Sequence, residues 1–207
     1  LDRKSVVYPA VMEALRELNS GQYVEAVLTG AIGTGKSTIA LFTTAYQLYM
    51  LSCLKDPHRL FGLDPASEIV FAFQSLTGAL ARSVDYDRFR SMIAGSPYFN
   101  CHFPFRKKIS SEMIFPRNIV VRPLSGNVNA AIGTNIFGAI LDEVNFMARV
   151  EESKRAADGG AFDQAAEMYN AIVRRRKSRF MAQGGRLPGM LCLVSSKRYP
   201  GEFTDRK

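Results

Sequence analysis

Apolar positions recur along the chain with two periods, and the two alternate. Residues 7–18 put Val7, Val11, Ala14, Leu15 and Leu18 on one face, the spacing of an amphipathic helix, and Asn19, Ser20 and Gly21 then read as a turn. Val24, Ala26, Val27 and Leu28 form a short aliphatic run suited to a buried parallel strand. The stretch from 37 to about 54 is helical in pattern and stops before Pro57, while 55–67, with two prolines, a glycine and polar side chains, reads as a loop. A second apolar run at 68–74, EIVFAFQ, precedes a helix from about 76 to 94 that breaks at Gly95, Ser96 and Pro97. Short runs at 113–115 and 119–121, separated by Pro116, Arg117 and Asn118, predict a hairpin. Residues 137–141 predict a third buried strand, closing on Asp142 and Glu143. A long helix from about 161 to 181 carries Phe162, Ala165, Ala166, Tyr169, Ile172 and Val173 on its apolar face. The last strand, 190–194, ends in Ser195 and Ser196. No internal repeat occurs. Strand alternating with helix predicts an α/β domain with a mainly parallel central sheet and an appended antiparallel hairpin.

The junction between the first strand and the second helix carries the chemistry. In VEAVLTGAIGTGKST, Gly30, Gly35, Lys36 and Ser37 stand at the spacing of a phosphate-binding P-loop. Loop amides from Gly30, Ala31, Ile32, Gly33, Thr34 and Gly35 through Thr38 can wrap phosphates, Lys36 can meet the β and γ oxygens, and the Ser37 hydroxyl can hold Mg²⁺. The helix N-terminus adds free N–H groups and a partial positive charge. This predicts a three-layer P-loop NTPase fold of the ASCE or RecA-like kind, with a nucleotide as ligand.

Such a loop needs a second half. The run FGAILDEVN puts Asp142 at the C-terminal tip of a strand, where open α/β sheets bind ligands, and Asp142 can serve the Mg²⁺ ion opposite Ser37. Glu143 is the more informative residue, because a carboxylate beside the γ-phosphate can orient and deprotonate water, which favours hydrolysis over binding alone. Ser195 and Ser196, at the end of MLCLVSS, are candidates for sensing the γ-phosphate, with a simple strand-ending turn as the alternative.

Composition narrows the setting. The chain has 207 residues, a formal charge of +8 and a pI near 9.6, which favours a polyanionic partner without identifying it. Cys53, Cys101 and Cys192 are widely separated and lack metal-ligand spacing, so they are expected to be buried thiols in a reducing compartment. No apolar stretch reaches membrane-spanning length and no secretory leader is evident, so a soluble, intracellular protein is expected. The missing initiator methionine and the charged run at 201–207 suggest an excised domain.

With the P-loop, the LDE pair and the LVSS strand end in this order, the chain resembles the ATPase domain of the large terminase subunit of tailed viruses. The likeness extends through FAFQSLTGALAR, the hairpin EMIFPRNIVVRPLSG, GTNIFGAILDEVNFM and LCLVSSKRYPGEF. It implies Mg²⁺-dependent ATP hydrolysis that drives double-stranded DNA into a procapsid. The implied partners are the portal, the small terminase subunit and further copies of the chain in a ring, in the host-cell cytoplasm and without a membrane. It also implies that residues 1–207 form the ATPase part of a longer protein whose nuclease domain follows; no carboxylate cluster suited to two-metal DNA cleavage is evident here.

Some positions depart from the family. Relatives can carry arginine within the loop or before the acidic strand, where this chain has Ala31, Ile32, Ala131 and Ile132. The charge-neutralising arginine is therefore expected elsewhere, with Arg82, Arg149 and Arg155 as candidates and a neighbouring subunit as another source. No glutamine follows Tyr8 and Pro9 to read adenine. The basic run Arg174, Arg175, Arg176, Lys177, Arg179 suits either the helix dipole or phosphate contacts, with at least one cation snorkelling beside the apolar face. Arg106, Lys107 and Lys108 can track a nucleic-acid backbone. A helicase-type motor, a nucleotide-dependent switch and, more distantly, a small-molecule kinase are the competing readings.

Overall fold

The computed structural model describes residues 7–124, 133–150, 162–181 and 189–207. Its centre is a six-stranded sheet formed by β1 (Glu25–Leu28), β2 (Ile69–Gln74), β3 (Met113–Phe115), β4 (Ile119–Pro123), β5 (Ile136–Asp142) and, last in the chain, β8 (Leu191–Val194). The spatial order is β1-β8-β5-β2-β4-β3, parallel throughout except for the β3–β4 pair. The aliphatic runs become strands because both faces of this sheet are covered, which removes the need for polar alternation. The predicted hairpin is present, and its second strand pairs with β2 rather than standing apart. A ribbon of β6 (Arg149–Val150) and β7 (Phe162–Asp163) completes the strands.

Side chains alternate between two cores. Phe71, Phe73, Ile140, Cys192 and Val194 face one cluster with Leu41, Leu48 and Phe89, contributed by α2 (Lys36–Cys53) and α5 (Asp87–Ala94). Ala72, Ala139, Leu141, Leu191 and Leu193 face the other, against Ala165, Met168 and Ile172 of α7 (Gln164–Arg176). Helix, sheet and helix make the three predicted layers. The first helix, α1 (Pro9–Leu18), lies along α2 and brings Val11 close to the turn before it.

Several local expectations change. The loop at 55–67 contains a short helix, α3 (Pro57–Phe61), whose Asp56 carboxylate accepts the Arg59 amide and whose end is closed by Gly62 in the left-handed region. A further turn of helix, α6 (Pro97–Cys101), follows the break at Pro97. The helix expected at 76–94 consists of α4 (Gly78–Leu80), a wide π-helical stretch Ala81–Tyr86 and then α5. Cys53 and Cys101 are exposed and only Cys192 is buried, because the first two fall on outer surfaces of helix ends.

The basic run at the end of α7 holds the largest surprise. Arg176 is 2% exposed, so its head group does not snorkel. Its guanidinium donates to the carbonyls of Phe137 at 3.2 Å, Val24 at 2.9 Å and Gly189, gathering the starts of β5, β1 and β8. Burial pulls its pKa down to about 10. Arg174, Lys177 and Arg179 remain exposed. Arg155, Ala131 and Ile132 lie outside the described residues.

Candidate functional site

Strand order decides which chain ends meet. Because β8 lies between β1 and β5, the loops leaving three parallel strands converge at one edge of the sheet, and Ser195 N–H bonds Leu28 O at 3.2 Å there. A cleft of about 340 Å³ opens at that edge. Its lining brings together Ile32, Gly33, Gly35, Lys36, Ser37 and Thr38 from the loop, Asp142 and Glu143 from the end of β5, and Ser196 after β8. Gly30, Ala31 and Thr34 shape the loop through internal bonds: Lys36 Nζ donates to Gly30 O at 3.0 Å and Ala31 O at 2.7 Å, and Thr34 Oγ1 donates to Ala31 O at 2.9 Å.

The turn into α2 requires glycine. Gly35 caps the helix at φ +87°, and a Cβ there would also sit 3.1 Å from Val11 Cγ2. The following helix runs 18 residues, so its first N–H groups, which have no partner within the helix, face the cleft with the full helix dipole behind them. An anion is the ligand this end of the molecule can hold.

The acidic side is crowded. Asp142 is 5% exposed, and burial together with the Glu143 charge raises its pKa to about 6, against the opposing effects of a bond from the Glu143 amide and the Lys36 charge. Glu143 adopts φ +55°, a left-handed backbone that costs a non-glycine residue ~1 kcal/mol or more. Ser195 Oγ lies 3.5 Å from Glu143 Oε2, so Ser195 is buried beneath the carboxylate while Ser196 reaches the cleft lining.

Two residues at this site escape the sequence reading. Arg88 lines the cleft and donates to Thr38 Oγ1 at 2.9 Å. Asp85, one turn earlier in the π-helical stretch, is 1% exposed, and its Oδ2 has no hydrogen-bond partner among the described residues. Burial, followed by the Asp142 charge, pushes its pKa up to about 8, with Arg88 opposing. Of the arginines proposed from sequence, the two described ones point elsewhere: Arg82 donates to Ser110 O at 3.2 Å, and Arg149 lines a separate crevice with Asp163 and Arg206.

Three carboxyl groups thus share a partly dry region with two cations, Lys36 and Arg88, and the raised pKa values of Asp85 and Asp142 reflect that crowding, which a divalent ion would relieve. Among the described residues no three His, Cys, Asp or Glu side chains form a complete metal cage. The donor set still suits Mg²⁺, which is held by few protein ligands together with phosphate oxygens; Ser37 and Asp142 would be those ligands.

The sequence from residue 6 to 207 matches the family described as "Uncharacterized protein MJ0330, N-terminal P-loop domain". Among curated proteins no sequence match reaches significance. In fold, the chain is similar to the large terminase from a thermophilic bacteriophage in complex with ADP, with a TM-score of 0.53 and 12% identity over 90% of this chain and 38% of that one. The same terminase in complex with ATP-gamma-S gives a TM-score of 0.50. The HK97 bacteriophage large terminase gives a TM-score of 0.50 and 17% identity over 91% of this chain and 33% of that one. The chain therefore spans 33–38% of these terminases, and at such identities the likeness establishes the fold.

Proposed function

We propose that this chain, which belongs to this family of N-terminal P-loop domains, is an Mg²⁺-dependent ATPase of the terminase type, the motor module of a longer protein that moves double-stranded DNA. The observation that carries the reading is the meeting of Lys36, Ser37, Arg88, Asp142 and Glu143 around one cleft. Loop amides and Lys36 bind the phosphates, with the Lys36 ammonium exchanging its two carbonyl partners for phosphate oxygens. Ser37 and Asp142 would hold the magnesium ion, which would draw charge from the phosphates when bound. Glu143 orients a water and takes its proton, and Arg88 offsets the charge that builds on the transferring phosphoryl group. The cation missing from the P-loop is thus supplied by the same chain. Ser196 meets the nucleotide at the cleft, and Ser195 touches Glu143.

A polyanionic track is supported beside the site. Exposed Arg82, Arg106, Lys107 and Lys108 cluster where Arg82 bonds Ser110 O and Arg90 bonds Lys107 O at 3.0 Å, joining the helix after β2 to the basic loop. By analogy with the terminases, the protein works as a ring with the portal and small subunit in the cytoplasm of an infected cell. No helix among the described residues is long and apolar enough to cross a membrane.

The test is Mg²⁺-dependent ATP hydrolysis with double-stranded, single-stranded or no DNA. Stimulation by duplex DNA is the expected result. Stimulation by single strands alone favours a helicase-type motor, and tight ATP binding without turnover in every condition favours a switch; either result overturns the proposal.

A further inference from the structure

Behind Glu143 lies a polar network that the cleft does not use. Asn145, in the 3₁₀ turn Val144–Phe146 that follows Glu143, is 6% exposed. Its backbone N–H donates to Ser195 Oγ at 3.1 Å, and Ser195 Oγ in turn faces Glu143 Oε2. Its side-chain amide donates to Ser196 O at 3.2 Å and Thr204 Oγ1 at 2.9 Å, while its Oδ1 accepts the Thr204 N–H at 3.1 Å. Thr204 belongs to a second 3₁₀ turn, Phe203–Arg206, and is itself 6% exposed. Arg198 reinforces the arrangement by donating to Asn145 O and to Glu202 Oε1 at 3.1 Å, with its guanidinium 4.2 Å from the Phe146 ring centroid.

Packing alone does not call for this. An asparagine at the surface of a turn could be solvated, whereas here both ends of its amide are spent on two other segments inside the protein. A satisfied buried amide has a narrow range of positions, since any shift breaks several bonds together. Glu143 needs such support, because its left-handed backbone is not the conformation the residue would choose by itself.

We propose that Asn145 is a positioning residue that clamps the Phe203–Arg206 turn to the Glu143–Phe146 turn, so that the state of the nucleotide at Glu143 is transmitted through Ser195 and Asn145 to residues 203–206. The clamp rests on the ATPase reading of the cleft for its purpose; Asn145 and Thr204 themselves lie outside the cleft lining, which the network reaches at Glu143 and Ser196. Movement of either turn changes the other, since they share the one amide.

Two measurements test it together. The first is steady-state ATP hydrolysis by Asn145→Ala, Ser195→Ala, their double variant, Thr204→Val and Thr204→Ser. Loss of alignment should lower kcat by ~10- to 100-fold in Asn145→Ala, with KM and the affinity for a non-hydrolysable ATP analogue changed by less than about threefold. The double variant should lose no more than the worse single variant, and Thr204→Ser should keep the activity that Thr204→Val loses. Multiplying losses, or equal loss in the Ser and Val variants, would overturn the relay. The second is amide hydrogen exchange at Thr204 with and without the Mg²⁺-bound analogue. Exchange should respond to the analogue in the wild type and cease to respond in Ser195→Ala. A Thr204 amide indifferent to the analogue overturns the proposal whatever the turnover, whereas a responsive amide in a protein without turnover would sink the ATPase reading and leave the clamp standing.

Discussion

Replacing Asp85 by asparagine should make the protein more stable, and by an amount that grows with pH. The carboxyl is 1% exposed, one of its oxygens lacks a partner among the described residues, and Asp142 and Glu143 add like charge. These causes lift its pKa from the ordinary 3.8 to about 8. Below about pH 4 the group is protonated folded and unfolded, so it has no pH-linked effect. Between there and about pH 8 the unfolded chain has released the proton while the folded chain retains it, so stability falls as pH rises, by at most about 1.4 kcal/mol per pH unit. Above about 8 the penalty is complete and constant. The asparagine variant has no such term, and Asp142, raised to about 6, is present in both proteins and cancels. From pH 5 to pH 8, three pH units, the advantage of Asp85→Asn should widen by up to about 4 kcal/mol. Urea unfolding of both proteins at pH 5, 6.5 and 8 measures it directly. A stability difference that stays flat over this range would refute the claim that Asp85 is buried among like charges.

Further expectations follow from the same geometry. Arg88→Ala should reduce kcat by ~10³-fold, within the range for a transition-state arginine, while nucleotide affinity changes little; an unaltered kcat in the assembled protein would return that role to a neighbouring subunit. Arg176→Ala should destabilise the fold by ~3 kcal/mol, because three bonds to strand-start carbonyls are lost, although Val24 O keeps the Leu191 N–H, and chemical denaturation would show a small or absent effect if the guanidinium were solvated.

How much of this could be read along the chain depended on whether local pattern or tertiary contact decided the outcome. The buried strands at 69–74, 136–142 and 191–194 were legible because a parallel sheet covered on both faces needs uninterrupted apolar runs. The P-loop and Asp142 with Glu143 were legible because their chemistry fixes both residue type and spacing, and the structure places them on one cleft. Arg88 and Asp85 were hidden by the π-helical stretch Ala81–Tyr86, since a widened turn shifts the faces that a 3.6-residue period assigns. Arg176 left a trace: Ala165, Met168, Ile172 and Arg176 recur at helical spacing along the buried stripe. Its neighbours in a run of cations obscured it. Asn145 left none, because the partners that bury it lie about 50 and 59 residues further along. The helix at Pro57–Phe61 was marked by an Asp56 cap and Gly62, but Pro57 read as a breaker rather than as a first-turn residue.

On the function proposed above, Glu143 activates water for hydrolysis of a nucleotide held by the P-loop. Substituting Glu143→Gln preserves the shape of the side chain and removes its capacity to accept a proton. With Mg²⁺ and ATP, under the conditions in which the wild-type protein turns over fastest, the variant should bind ATP within about threefold of wild type and hydrolyse it at least ~100-fold more slowly. Hydrolysis at the wild-type rate, with binding intact, would contradict the account.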